Sequence, residues 1–399
     1  MNFRRLTSFI LSAALLTAAP PLNMSASASL SAPELSFSEK EVSLSEIEIT
    51  PDTVQASSLQ EAGSQMRSYM TERKTSFTIS IPRNSVSDLN DAPGNVLAEA
   101  MKETSKGNEG DYLRYGLKKY SCNFSGSSSV ITMNFTMEYY TSAQDEQKVA
   151  AECSSLLSSL DLGGMSDYDR IKTIYRHIAS HTSYASNTND KHVFTAYGAL
   201  IDHVAVCQGY SQLFYRLMKE SGIDCRMISG TSDNENHAWN IVKLDDKYYL
   251  MDVTWDSSLG GNSMIYFLRG SKDFDVILPD YTHIPVYQNN IIFEDFNSAQ
   301  FKAAYPISDY KYDPSAAMLL GDVSGNRIID AVDSSAILKY YAETSAGHSG
   351  NFTANQKTAA DVNKNGTIDA VDASFVLAYY ATSSVRNVGS LSDFIRNMK

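Results

Sequence analysis

The chain has 399 residues, a formal net charge of −13, and 43% hydrophobic against 20% charged residues. That length suits roughly two or three domains, and the acidic balance excludes nucleic acid and anionic membrane surfaces as natural partners. With only four cysteines, a disulfide scaffold is excluded as well.

Arg4 and Arg5 precede an apolar run from Phe9 to Ala19, and Ala26, Ser27 and Ala28 close the segment. This is the pattern of a secretory signal peptide covering residues 1–28. The run is about half the roughly 20 apolar residues a membrane span needs. An extracellular location without membrane insertion is therefore expected. Residues 29–57 are rich in Ser and acidic residues without sustained periodicity and read as a flexible leader. Residues 58–160 read as a small N-terminal α+β domain. Its expected elements are a helix over Leu59–Glu72, a strand over Ser76–Ile81, a helix over Val96–Lys102, a hairpin of Leu117–Phe124 and Val130–Tyr140, and a helix from Ala143 to Leu160. Cys122 and Cys153 fall on the apolar faces of a strand and a helix. Both read as core, and whether they pair stays open.

Residues 161–290 carry the chemistry. Ser166 and Asp169 start a helix with Tyr168, Ile171, Ile174, Tyr175 and Ile178 along one side. Tyr210, Leu213, Phe214, Leu217 and Met218 form the stripe of a second, buried helix that opens at Cys207 and ends at Gly222. Free backbone N–H groups and the dipole at that start favour a thiolate and can hold an oxyanion. Gly209 leaves room for a substrate backbone. His237 begins a strand, Asp245-Asp246 turns the chain, and the return strand ends at Asp252. A two-residue turn sets Leu244 opposite Lys247 and His237 opposite Thr254, which brings Asp252 diagonally onto the face of His237. Cys207, His237 and Asp252 then suit a nucleophile, its base and an orienting carboxylate. Taken singly, each has a plainer explanation as a core thiol, a core histidine or a turn cap. A metal site of Cys207, Cys225 and His237 lacks paired-ligand spacing. Trp239, Tyr248 and Trp255 either line the cleft or fill the hairpin. His177, His181, His192, His203, His283 and His348 show no comparable partners.

Residues 291–318, with Pro306 and Pro314, read as a linker. The sequence DVSGNRIIDAVDSSAILKYY at 322–341 then returns 39 residues later as DVNKNGTIDAVDASFVLAYY at 361–380. Each copy places oxygen donors at positions 1, 3, 5, 9 and 12 of a loop, with a carbonyl at position 7, the spacing that wraps one Ca²⁺. The ligands of the first loop are Asp322, Ser324, Asn326, the Ile328 carbonyl, Asp330 and Asp333. Those of the second are Asp361, Asn363, Asn365, the Thr367 carbonyl, Asp369 through water, and Asp372. Gly366 supplies the sharp turn at position 6 of the second loop. Arg327 stands there in the first, where its side chain and charge oppose the ion, so the first site is expected to be the weaker. Residues 384–399 read as a tail.

Two resemblances follow from these segments. AYGALIDHVAVCQGYSQLF, GIDCRMISGT, NHAWNIVKLDDKYYLMDVTWD and MIYFLRG resemble the transglutaminase-like cysteine enzymes. The implied fold is an α+β, papain-related core, with Cys207 as nucleophile, His237 as base and Asp252 as its partner. No cofactor is implied for that chemistry. Residues 319–383 resemble a type I dockerin, an all-α calcium module that docks on a cohesin of a scaffolding protein. Ala331, Val332, Ala370 and Val371 occupy the positions that help choose the cohesin in that family. The implied function is a secreted, scaffold-held cysteine peptidase or amidase acting on protein or peptide amides. A protein-crosslinking transglutaminase and an inactive binding module are the alternatives.

Overall fold

A computed structural model describes residues 34–39, 53–163, 165–232, 235–260, 263–275, 282–286, 294–314, 318–325, 328–386 and 388–398. The signal-peptide segment 1–28 lies outside these residues. The fold is α+β. None of the described helices is long and apolar enough to cross a membrane.

The first half is a five-stranded sheet made of β1 (Glu34–Glu39), β2 (Thr53–Gln55), β3 (Ser76–Pro82), β4 (Leu117–Gly126) and β5 (Val130–Tyr139). The order is β1-β4-β5-β3-β2. The central three strands are antiparallel, and the two edge strands join in parallel. Both edge strands fall within the stretch expected as a flexible leader. Short edge strands take their hydrogen bonds from a neighbour and need little periodicity of their own. Around the sheet lie α1 (Leu59–Thr71), α2 (Ala92–Ala100), α3 (Asp111–Gly116), α4 (Ala143–Ser159) and α5 (Asp167–His181). α2 starts earlier than expected because Pro93 sits in its first turn, where the missing N–H costs nothing. α3 was not anticipated. Ser142 and Asp145 close a capping box on α4, and Ser166 caps α5.

The second half adds β6 (Ser183–Tyr184), β7 (Val204–Ala205), α6 (Cys207–Glu220), β8 (Cys225–Ser232), β9 (Glu235–Leu244), β10 (Lys247–Met251), α7 (Val253–Ser258), β11 (Ile284–Pro285) and α8 (Ala299–Ala304). Strands β10-β9-β8-β11 form an antiparallel sheet. α6 is buried from Cys207 to Lys219 and is the central helix of this half. One hydrophobic cluster runs from Met66, Ile79, Phe135 and Cys153 through Tyr175, Phe214 and Leu217 to Cys225 and Met251. The boundary expected at residue 160 thus crosses a continuous core. All four cysteines carry free thiols.

The expected linker 291–318 is corrected in its described part. Phe296, Phe301, Tyr305 and Ile307 close a second cluster with Ile228, Trp239, Tyr248, Trp255 and Tyr266. Tyr248 N–H donates to the Pro306 carbonyl (2.9 Å), and Ser308 N–H donates to the Tyr248 carbonyl (2.9 Å). Pro306 joins the sheet edge only through its carbonyl, a use that does not need the N–H it lacks.

The repeat folds into α9 (Ala331–Ser345), α10 (Ala354–Ala360), α11 (Ala370–Ser383) and α12 (Leu391–Met398). Val323, Ile337, Val362, Ala373 and Val376 form its core together with Leu391 and Ile395. The segment expected as a tail therefore closes this core, through two apolar residues four apart on one helix face.

Candidate active site

Cys207 is the first residue of α6, and Val206 before it provides no side-chain cap. The opening N–H groups of any helix lack intrahelical acceptors, so α6 presents positive partial charge to the thiol. The helix start is fixed by its own polar residues. Ser211 Oγ donates to the Ala238 carbonyl (3.0 Å), and Asn240 Nδ2 donates to the Ser211 carbonyl (3.1 Å). Gln208 Nε2 donates to the carbonyls of Tyr115 (2.9 Å) and Phe194 (3.1 Å). These bonds tie α6 to β9 on one side and to the 112–116 and 193–196 segments on the other. Gly209 serves the same packing. A Cβ there would meet the Val193 carbonyl oxygen at 2.7 Å and the Thr195 carbonyl oxygen at 2.8 Å. The room expected for a substrate backbone is filled by the chain itself.

The hairpin register is the one the turn requires, with Lys247 opposite Leu244 and Met251 opposite Asn240. The pairing stops there. Asp252 caps α7, accepting from Trp255 N–H at Oδ1 (3.0 Å), so Thr254 lies in that helix and does not face His237. The diagonal placement of Asp252 survives this correction. Its Oδ2 lies 2.7 Å from His237 Nε2, which leaves His237 Nδ1 for the Cys207 thiol, the ring's other hydrogen-bond partner. Tyr175 OH lies 2.7 Å from the Asp252 carbonyl oxygen and 2.5 Å from Asp256 Oδ2, with its one proton between these acceptors, anchoring the same turn. Cys207, His237 and Asp252 are all buried.

Burial alone would lower the His237 pKa. The charge and hydrogen bond of Asp252, together with Cys207, outweigh burial and pull it up to about 10. Burial would raise Asp252, yet His237 and His283 hold it well below the usual carboxylate range. At neutral pH the pair is imidazolium and carboxylate. Burial pushes Cys122, Cys153 and Cys225 up, Cys153 to about 12. Among the described residues, Cys207, Cys225 and His237 do not converge as a metal-ligand set.

Two histidines depart from expectation: His192 lies 3.5, 3.6 and 3.9 Å from carboxylate oxygens of Asp145, Asp190 and Asp202, and His283 enters the site. His283 was expected to lack partners, but its Nε2 lies 3.0 Å from the same Asp252 Oδ2, and its Nδ1 lies 2.7 Å from Asp275 Oδ1. It comes from a short segment 31 residues beyond Asp252, and no spacing or periodicity announces it. Trp239 and Trp255 stack beside His237, with ring centroids 5.9 and 5.4 Å away. Both are also buried in the second cluster, so they form a wall of the site and part of its core. Tyr248 faces elsewhere, donating to Asp224 Oδ2 (2.5 Å).

In the repeat, the described donor residues are hydrogen-bonded into the loops that lead to both helix starts. Asp372 accepts from Asn363 N–H (3.2 Å) and Asp369 N–H (3.0 Å), while Asp361 accepts from Asn365 N–H and Gly366 N–H (3.0 Å each). Asn365 Oδ1 accepts from Thr367 N–H (2.8 Å). In the first loop Asp333 accepts from Ser324 N–H (2.9 Å) and Asp330 N–H (3.0 Å), and Asp322 accepts from Ser324 Oγ and Gly325 N–H. Asn326 and Arg327 lie outside the described residues. Burial raises the pKa of Asp333 and Asp372, and neighbouring carboxylates add to it: Asp322 for the first, Asp369 and Asp361 for the second. Buried like charges of this kind suit a cation, so the donor set fits Ca²⁺. Val332 and Val371, at the matching helix starts, are 62% and 51% exposed. Leu338 and Leu377, and Tyr341 and Tyr380, are matching exposed pairs further along. Ala370 is exposed and Ala331 half-buried.

The structure thus brings together a helix-borne thiol, a sheet-borne histidine and a carboxylate at the next strand end. Residues 154–253 match the transglutaminase-like superfamily and residues 320–379 match the dockerin type I domain; the chain carries both domains. It is similar to the kyphoscoliosis peptidases of Mus musculus (29% identity over 126 residues, 28% of this chain and 19% of that protein) and Homo sapiens (29% over 119 residues, 26% and 18%). The chain thus spans about a fifth of the length of these curated relatives. A crystal structure of a TGase aligns at 15% identity and a TM-score of 0.26, covering 47% of this chain and 57% of that one.

Proposed function

We propose that the protein is a secreted cysteine peptidase or amidase held on a scaffold by its dockerin. The observation that carries this is the arrangement of Cys207 at a helix start beside a His237 bonded to Asp252. In this reading the Cys207 thiolate attacks an amide carbonyl carbon, and the first N–H groups of α6 receive the developing oxyanion. The tetrahedral adduct collapses by breaking the C–N bond, and the His237 imidazolium gives its proton to the departing amine. Neutral His237 then takes a proton from water as that water attacks the thioester, and the thiolate leaves. Asp252 keeps the His237 ring in one tautomer and balances its charge throughout. Product analysis on a mixed peptide library, with and without an added primary amine, tests this. Cleaved peptides from the wild type and none from Cys207→Ala are expected. Amine-capped or isopeptide products would make the protein an acyltransferase, and no product from the wild type would make it a binding module.

The dockerin supplies the tether. Each loop holds one Ca²⁺, the first through Asp322, Ser324, Asn326, the Ile328 carbonyl, Asp330 and Asp333. The second uses Asp361, Asn363, Asn365, the Thr367 carbonyl, Asp369 and Asp372. The ions would neutralise the buried carboxylates and lock the starts of α9 and α11, which carry Ala331, Val332, Ala370 and Val371 toward a cohesin. The paired exposed side chains on the two helices support docking through either copy. Titrating the chelator-treated protein with Ca²⁺ by calorimetry is expected to show two events differing by about tenfold or more in affinity, since Ser324 replaces a stronger ligand. Asp372→Asn should remove the tighter event and Asp333→Asn the weaker. Equal affinities would sink the ranking of the two sites. Thermal melting of the module should move down in chelator, because binding stabilises only the folded state.

A further inference from the structure

His283 is held from both ends inside the site. Its side chain is 1% exposed. One ring nitrogen faces Asp252 Oδ2 at 3.0 Å and the other faces Asp275 Oδ1 at 2.7 Å, while its backbone N–H donates to Asp275 Oδ2 (3.2 Å). A neutral imidazole has one donor and one acceptor nitrogen. A carboxylate oxygen stands at each nitrogen, so the ring meets an acceptor at both ends. Phe274, Trp255 and Trp239 wall the ring, with centroids 4.3, 4.5 and 5.0 Å away. The titratable groups facing it are His237 from β9 (5.3 Å between ring centroids), Asp252 from the end of β10, Tyr266, and Asp275 from its own segment. Cys207 stands beyond His237.

Two imidazoles therefore share one oxygen. A lone carboxylate in this buried place would bind the His237 imidazolium so tightly that it would be a poor proton donor, since a useful acid needs a pKa near the working pH. A second hydrogen-bond donor on the same oxygen relieves part of that grip. It also fixes the carboxylate, so that Oδ2 stays in reach of His237 while Oδ1 caps α7.

We propose that His283 is a positioning residue that acts through Asp252, steadying the shared oxygen and offsetting part of its charge so that His237 can release its proton to the leaving group. Asp275 holds the other end of the His283 ring and its backbone N–H. The inference rests on the reading of Cys207, His237 and Asp252 as the active site.

The test is the pH profile of Cys207 alkylation by iodoacetamide in the full chain, which needs no substrate. In the wild type the thiol is expected to react faster than free cysteine, with an alkaline limb set by His237. His283→Phe, which fills the aromatic pocket but donates nothing, should lower the rate about tenfold. His283→Gln should restore most of that rate, because its amide still donates to Asp252. Its amide is not bonded at its far end by Asp275, however, so it draws less charge from Oδ2 and should raise the alkaline limb by about one pH unit. Asp275→Asn, at a more exposed position, should move the limb the same way. A limb unmoved in both His283→Gln and Asp275→Asn overturns the proposal whatever happens to the rate, because lost packing alone slows the reaction without displacing the limb. A wild-type thiol no faster than free cysteine overturns the active-site reading itself, and this proposal with it.

Discussion

Asp252→Asn is expected to lower the turnover of peptide amides by about 10³–10⁴-fold while leaving the fold intact, the scale on which the same exchange acts in a Ser-His-Asp protease. Three donors converge on this carboxylate: Trp255 N–H on Oδ1, and the rings of His237 and His283 on Oδ2. Asparagine can keep the cap on α7 with its oxygen. Its NH₂ group then points at His237 Nε2, which must present a lone pair, and the ring proton moves to Nδ1, toward Cys207. A histidine in that tautomer cannot accept the thiol proton. The charge also goes. His237 is raised to about 10 against burial mainly by Asp252, so in the variant burial dominates and its pKa falls. The imidazolium partner of the thiolate is then lost at a lower pH, and the alkaline limb of Cys207 alkylation should move down, opposite to the shift expected for His283→Gln. Turnover within tenfold of wild type, with an unmoved limb, would remove Asp252 from the mechanism.

The parts of the site legible in the sequence share one property: their geometry is set locally. The apolar stripe from Tyr210 to Met218 puts Cys207 at a helix start. The two-residue turn at Asp245-Asp246 sets Leu244 against Lys247, and through that register brings Asp252 to His237. The same reasoning failed one step further, at Thr254, because an aspartate at a strand end can also cap a helix, and Asp252 does both. What stayed hidden depends on partners distant in the chain. His283 gains its meaning only from Asp252 and Asp275, and α3 gains its meaning from β8, 115 residues on. The 291–318 stretch looked like a connector because Pro306 and Pro314 read as breakers. Folded, its aromatic residues Phe296, Phe301 and Tyr305 cover the sheet that carries the site.

The unforeseen α3 leads to the other large effect. Asp111→Ala is expected to destabilise the protein by about 3–5 kcal/mol, the cost of leaving a buried charge without its partner. Arg226 is fully buried. Its Nε and Nη2 donate to Asp111 (2.7 and 3.2 Å), and Nη2 also donates to Glu294 (2.7 Å). Asp111 accepts in addition from Met227 N–H (2.9 Å) and pairs with Arg114. The guanidinium lies over the ring of Tyr305, 4.6 Å from its centroid. The Asp111–Arg226 pair thus ties α3, β8 and the 294–305 segment together. β8 is the neighbour of β9, and Arg226 sits opposite Ile241 in that ladder, four residues along from His237. Removing Asp111 strands two guanidinium groups in the interior with fewer acceptors and leaves Met227 N–H unpaired. Against a total stability of about 5–15 kcal/mol, that loss should lower the melting temperature by roughly 10 °C. The double variant Asp111→Ala with Arg226→Met should recover a large part of the loss, since the methionine needs no charge partner and still packs on Tyr305. A cost below about 1 kcal/mol for Asp111→Ala, or no recovery in the double variant, would show that this cluster is solvated and does not brace the sheet beneath His237.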